Sequence, residues 1–223
     1  MRRRARTSCA CSALLFLIFS FAGTLALHAQ DADPPASARP RKEHRLAACV
    51  TFMGGAMAGL AAHEAGHFVF DAVFGADPGL KRVSFGGIPF FAITHSVRVS
   101  APEEYVISSA GFWVQHATSE WLLTRRPQLR DEHAPFAKGM LAWNVLASVA
   151  YSGAAFARVG PPERDTRGMA LSLGVAEPWV GTLVLAPAVL DTIRYVRPHA
   201  AWARWTSRAA KTGLVLLVIA ADR

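Results

Sequence analysis

The sequence predicts a mostly α-helical, polytopic membrane protein with a small β-hairpin element after its first core helix. Three observations carry this. Of 223 residues, 52% are apolar and only 18% are charged, against about 25% charged in an ordinary soluble domain. Mean hydropathy is positive, and several apolar stretches approach the length that crosses a bilayer. The 24 Lys and Arg residues, which against 16 Asp and Glu give a formal net charge of +8, fall in short clusters between those stretches, as loop charges beside membrane segments do. They form no single stripe, and no nucleic-acid motif accompanies them. A lipid bilayer is therefore the implied partner, and nucleic acid is not. Three cysteines and no CxxC pair exclude a disulfide framework and leave His and carboxylates as the available metal ligands.

Residues 1–29 read as a signal peptide or an uncleaved anchor. Arg2, Arg3, Arg4 and Arg6 precede an apolar core from Ala13 to Leu27, and small residues near Ala26 and Ala29 suit a signal peptidase. Residues 30–45 are polar and Pro-rich, a linker with no core of its own. Residues 46–223 form the membrane-embedded domain. Its first apolar segment, 46–76, contains Gly54, Gly55, Ala58, Gly59 and Ala62, small residues that let a neighbouring helix approach closely.

A turn signal at Asp77-Pro78-Gly79 opens a stretch of β-type runs around Gly86, Gly87 and Pro89, the expected hairpin. Helix returns over 103–123, with Ser108, Ser109, Ala110 and Gly111 as a second small-residue patch. A polar loop at 125–138 precedes a third apolar helix, 139–157, which contains Asn144 and Tyr151. After the turn-rich loop 158–168, the apolar segment 169–190 carries Pro178 and Pro187, which predict a break or kink there. Residues 191–211 are basic and Trp-containing, an interfacial pattern, and 212–221 is apolar but short for a span. Loops at 39–45, 125–138 and 194–211 hold the most Lys and Arg. The positive-inside rule makes them cytoplasmic, whereas a cleaved signal places 30–45 outside, so the two criteria oppose each other.

The first segment holds the motif that carries chemistry. His63, Glu64, Ala65, Gly66 and His67 read HExxH. Positions i and i+4 share a helix face, so both imidazoles reach one Zn²⁺. Glu64 lies about 100° round the helix, beside the metal rather than on it. There it can take a proton from a zinc-bound water whose pKa the metal lowers. Ionisable groups inside a membrane-length helix are functional by default.

A catalytic zinc takes three protein ligands and a water, and several residues compete for the third place. Asp71 is on the correct face but about 12 Å along the axis from His63, too far for one ion. Glu120 and His116 lie in the next helix. His95 lies in the β-type stretch. Asp165 sits at a loop-to-helix junction, where Asp also serves as an N-cap.

In order of features, residues 46–175 resemble the site-2-protease-type intramembrane zinc metalloproteases. The HEAGH stretch sits late in an apolar helix, and the β-type stretch follows. A small-residue element, Ser109-Ala110-Gly111-Phe112, is similar to the family's Ala-Gly-Pro element, with Phe112 in the Pro place. A helix bearing Asn144 comes next, and Asp165 followed by Gly168 closes the set. The resemblance implies His63 and His67 as zinc ligands, Glu64 as general base and Asp165 as third ligand. Asp165 is also the carboxylate that follows the Asn-bearing helix and precedes a Gly within a loop leading into another apolar segment.

The expected activity is therefore zinc-dependent hydrolysis of a peptide bond in or near the membrane. The substrate would be a membrane protein or peptide, and Asn144 would support the substrate strand or oxyanion or else bond between helices. The expected location is the cell membrane, multi-pass, and the Ala- and Arg-rich usage fits a bacterial inner membrane. The rival reading is a zinc-stabilised, non-catalytic membrane protein that binds partner helices. Glu64 separates the two, because a structural zinc site needs no carboxylate beside an open position. A metal transporter would need ionisable residues repeated in several helices.

Overall fold

Helix α1 (Arg41–Phe74) is the first described element of the computed structural model, which describes residues 41–85 and 88–222. The signal segment and residues 30–40 of the linker lie outside the described residues. Arg41 to Arg45, the end of the expected linker, are helical and run into α1. Nothing between 41 and 74 is a Pro, and the helix stops where Gly75 takes a left-handed φ of 65°. There the Ala76 N–H closes back on the Asp71 carbonyl at 2.8 Å.

Strands β1 (Pro78–Phe85) and β2 (Ile88–His95) pair antiparallel, with Pro78 opposite His95 and Phe85 opposite Ile88. Helix α2 (Ala101–Arg125) starts at Ser100, whose N–H and hydroxyl both donate to the Glu103 carboxylate, at 2.9 and 2.7 Å. Helix α3 (Pro135–Ala157) begins on a Pro, whose missing N–H costs nothing in a first turn. Then come α4 (Asp165–Leu173), α5 (Glu177–Val196), α6 (Ala201–Leu216) and the single turn α7 (Val218–Ala221).

One expectation changes here. The break in the apolar segment 169–190 falls at Gly174, left-handed at φ 65° and capping α4. The prolines do not cause it. Pro178 sits in the first turn of α5, and Pro187 is accommodated inside that helix.

The described residues are mostly helical with one small sheet. Helix α2 is the most deeply set of the described helices, with every residue from Tyr105 to Trp113 buried. Such all-round burial marks a helix in the middle of a bundle. The Tyr105 hydroxyl donates to the Leu214 carbonyl at 2.6 Å, tying α2 to α6.

Helices α1 and α3 approach backbone to backbone. A Cβ at Gly55 would strike the Phe136 carbonyl, and one at Gly139 would strike the Phe52 carbonyl. Among the described residues, three helices are long and apolar enough to cross a membrane: α1 from His44, α3 and α5. On α1, Leu46, Val50, Met53 and Met57 repeat at helical spacing and are all more than half exposed.

Candidate metal centre

His63 and His67 project from one face of α1 toward α2 and α4. Asp165 opens α4 and turns its side chain toward them. The cap position itself is Arg164 and makes no side-chain cap bond, so the capping role open to Asp165 is not the one it fills. The two Nε2 atoms stand 3.2 Å apart. Asp165 Oδ2 is 3.1 Å from His63 Nε2 and 3.3 Å from His67 Nε2. Ligands held about 2.0–2.1 Å from a tetrahedral ion stand roughly 3.3 Å from one another. The three donors thus form the base of a tetrahedron with one corner left over. Among the described residues this is the group that can hold a metal ion.

The protons on the imidazoles follow from their other contacts. His67 Nδ1 is 2.7 Å from the Ile107 carbonyl. A carbonyl only accepts, so Nδ1 donates and Nε2 of the neutral ring keeps its lone pair. His63 Nδ1 meets Gln115 Oε1 in a very short contact. The Gln115 amide cannot be turned round, since its Nε2 donates to the Asn144 carbonyl at 2.9 Å. His63 therefore also donates from Nδ1 and bares Nε2. Two lone pairs and a carboxylate oxygen converge with no proton donor among them, which is the chemistry of a cation site.

The surroundings fix this arrangement. His63 and His67 are 2% and 5% exposed. An added Cβ at Gly111 would fall on the His63 ring, so only Gly lets α2 come this close. One at Gly66 would come within 2.9 Å of the Ala110 carbonyl oxygen. Tyr151 from α3 lays its ring 5.8 Å from that of His63, tilted by 30°.

Asp165 is braced from both neighbours in sequence. Arg164 makes a two-pronged ion pair with Glu177 at 2.6 and 2.5 Å, and the Thr166 hydroxyl donates to Glu177 at 2.7 Å.

Glu64 stands half-buried beside the centre. Its charge is felt by His67, and it feels His63, His67 and Asp165. It makes no hydrogen bond among the described residues and offers no donor to the triangle.

Asn144 is not at the centre. Its Nδ2 donates to the Gln115 carbonyl and the Ser119 hydroxyl, at 3.1 and 3.0 Å. These are interhelical bonds between α3 and α2, and they take both of its N–H groups, leaving none to support a substrate or oxyanion.

The other candidates are placed elsewhere. Asp71 points to His95, Oδ1 to Nδ1 at 3.3 Å, and the far side of that imidazole meets Glu104 at 3.0 Å. This clasp joins the end of α1, the end of β2 and the start of α2. Glu120 pairs with Arg194 at 2.5 Å and with Arg208 and Lys211. His116 is buried with its Nε2 unpartnered. Burial pushes its imidazole down to about 3, with Lys211 and His63 adding to the effect.

Gln115, the Ile107 carbonyl and Glu177 were not singled out by sequence. Gln115 carried a weak signal, an amide within an otherwise apolar helix turn. The backbone carbonyl and the Glu177 brace carried none, because each depends on a contact between distant elements. No family model, curated protein or solved structure matches this chain.

Proposed function

We propose that this chain is a membrane-embedded, zinc-dependent peptidase that hydrolyses a peptide bond in or near the bilayer, as its resemblance to the site-2-protease-type enzymes implies. The observation that carries the reading is Glu64. It is an ionisable side chain beside three converging metal donors, yet it neither joins them nor bonds to anything else. A site built only to hold an ion has no use for it.

His63 Nε2, His67 Nε2 and Asp165 Oδ2 are the atoms that would hold the metal. Two nitrogens and one oxygen, with one corner open, suit zinc. Zinc bound there supplies Lewis acidity toward a scissile carbonyl and makes water acidic near neutrality.

The remaining work falls to the protein. Gln115 and Ile107 keep both Nε2 atoms bare by holding the protons on Nδ1. The Glu64 carboxylate takes a proton from the attacking water as its oxygen bonds to the carbonyl carbon. Glu64 then delivers that proton to the amide nitrogen as the C–N bond breaks, so that acid and amine leave with the protons balanced. The α2 residues packed round His63 exclude bulk water from the inner side of the centre.

The membrane reading is supported by α1, α3 and α5, each long and apolar enough to cross, and by the exposed apolar stripe on α1. A multi-pass placement in the cell membrane puts that stripe against lipid. The substrate is then a membrane protein or a peptide reaching the membrane.

The deciding experiment compares wild type with Glu64→Gln in detergent, measuring zinc content and cleavage of a panel of co-expressed membrane substrates. Zinc retained with cleavage abolished supports the peptidase. Equal cleavage by both proteins overturns the role given to Glu64. No cleavage by wild type across the panel, with zinc bound, favours the zinc-stabilised, non-catalytic alternative.

A further inference from the structure

Two basic segments far apart in sequence meet in space: the end of α2 with the loop after it, and the end of α5 with the first half of α6. Arg208 reaches from α6 to Glu120 at 2.8 Å and to the Thr124 hydroxyl at 3.3 Å, and Gln128 meets His199 at 3.3 Å. Residues 120–138 and 191–211 together hold nine Lys and Arg against four Asp and Glu. Three of those carboxylates are already occupied. Glu120 takes Arg194, Arg208 and Lys211, Asp191 takes Arg194 and Lys211, and Glu132 takes Arg126. Arg125, Arg130, Arg197 and Arg204 are exposed and make no ion pair among the described residues, and Asp131 is the one carboxylate of the four outside those pairs.

Helix α6 sets an aromatic surface beside this charge. Ala203, Ser207 and Leu214 form its buried face. Trp202 and Trp205 stand away from that face, 58% and 63% exposed, and the Arg208 guanidinium lies 5.2 Å from the centre of the Trp205 ring. The helix packing therefore uses neither indole, and the internal ion pairs use none of the four guanidinium groups.

We propose that this surface docks anionic phospholipid headgroups, with Arg125, Arg130, Arg197 and Arg204 taking the phosphates and Trp202 and Trp205 seated at headgroup level. This rests on the membrane reading above. Two of the helices long enough to cross a bilayer have an end here: α5 stops at Val196, next to Arg197, and α3 starts at Pro135, after the loop that carries Arg130. A surface where spans begin and end lies at the depth of the headgroups. Indole rings gather at that depth, and the guanidinium fork matches the oxygens of a phosphate. Nucleic acid carries the same phosphate chemistry, and the position beside two span ends favours lipid over it.

The test uses the full chain reconstituted in bilayers. Its tryptophan fluorescence is quenched with brominated phosphatidylglycerol or brominated phosphatidylcholine at the same mole fraction. Wild type is compared with a variant carrying Arg125→Gln, Arg130→Gln, Arg197→Gln and Arg204→Gln. One cation near an anionic surface strengthens association about fivefold. Wild type should therefore prefer phosphatidylglycerol by about fivefold or more, and the preference should vanish in the fourfold variant and in about 1 M NaCl. Equal quenching of wild type by the two lipids overturns the proposal, as does a preference that survives the substitutions or the salt. Should the fourfold variant not fold, the single substitutions and the salt dependence of wild type decide in the same way. Trp202→Phe with Trp205→Phe should remove the phosphatidylglycerol-specific part of the quenching, and an unchanged signal overturns the placement of the indoles. A wild type without lipid preference that binds a labelled oligonucleotide assigns the surface to nucleic acid and also overturns the proposal. If neither lipid quenches wild type because the chain does not enter the bilayer, the membrane reading itself falls, an outcome distinct from a bilayer-embedded chain with no preference.

Discussion

Gly111 and His63 are packed so closely that the glycine has no room for a side chain: an added Cβ would fall on the imidazole ring. One consequence is that the α2 backbone lies against α1 here, and one of its carbonyls, that of Ile107, accepts from His67 Nδ1 at 2.7 Å. The other is that the ring cannot rotate without meeting the α2 backbone.

The first prediction concerns this contact. Gly111→Ala places a methyl where the His63 ring now stands. Overpacking of this kind costs about 1–3 kcal/mol, and it displaces a metal donor as well. We predict a lower thermal midpoint and at least a tenfold loss of zinc affinity, both read on the purified variant. Wild-type zinc affinity would contradict the packing described.

A second prediction separates ligand from surface carboxylate. Asp165→Ala removes the anionic donor that offsets the charge of the ion, and it should strip most of the zinc at low-micromolar chelator. Asp131→Ala, exposed in the loop before α3, should leave zinc content unchanged. Equal zinc in the two variants would remove Asp165 from the centre.

The third prediction is a pH dependence away from the metal. Burial would raise the Glu120 carboxyl, but hydrogen bonds from Arg194 and Arg208 and the charge of Lys211 prevail and hold it down to about 2, from an ordinary value near 4.5. A folded-state value below the unfolded one means the stabilisation is complete above about pH 4.5. It is lost as pH falls toward about 2. Thermal midpoints measured through this window should fall more steeply for wild type than for Glu120→Gln. Parallel curves would show that the ionic cluster contributes no such linkage.

Fourth, residues 46–223 should stay with membranes through a carbonate wash when residues 1–29 are removed, because the exposed Leu46, Val50, Met53 and Met57 would otherwise face water. Quantitative release into the supernatant would contradict the bilayer reading.

The sequence made some of this legible and not the rest, for physical reasons. The spacing of His63 and His67 is local to one helix, so four residues of separation were enough to put both rings on one side. The hairpin and the helices followed from turn residues and apolar runs. Proline does not make the break before α5: a proline in a first helical turn needs no partner for its nitrogen, and the left-handed Gly174 ends α4 instead. Asn144 stood out as a polar residue in an apolar helix; only its two interhelical bonds show where its N–H groups go. Gln115 and Glu177 act across folds of the chain, and no pattern within their own segments announces that. Asp165 was found through the order of features along the chain, since nothing local distinguishes it from a helix cap.

The convergence of His63 Nε2, His67 Nε2 and Asp165 Oδ2 is the centre of the account, and metal content tests it most directly. Elemental analysis of the detergent-purified full chain should find about one zinc per chain in wild type, and none above background in the His63→Ala, His67→Ala double variant. Stoichiometric zinc in the double variant would contradict the account, as would a wild-type protein that purifies without metal and takes up none when zinc is supplied.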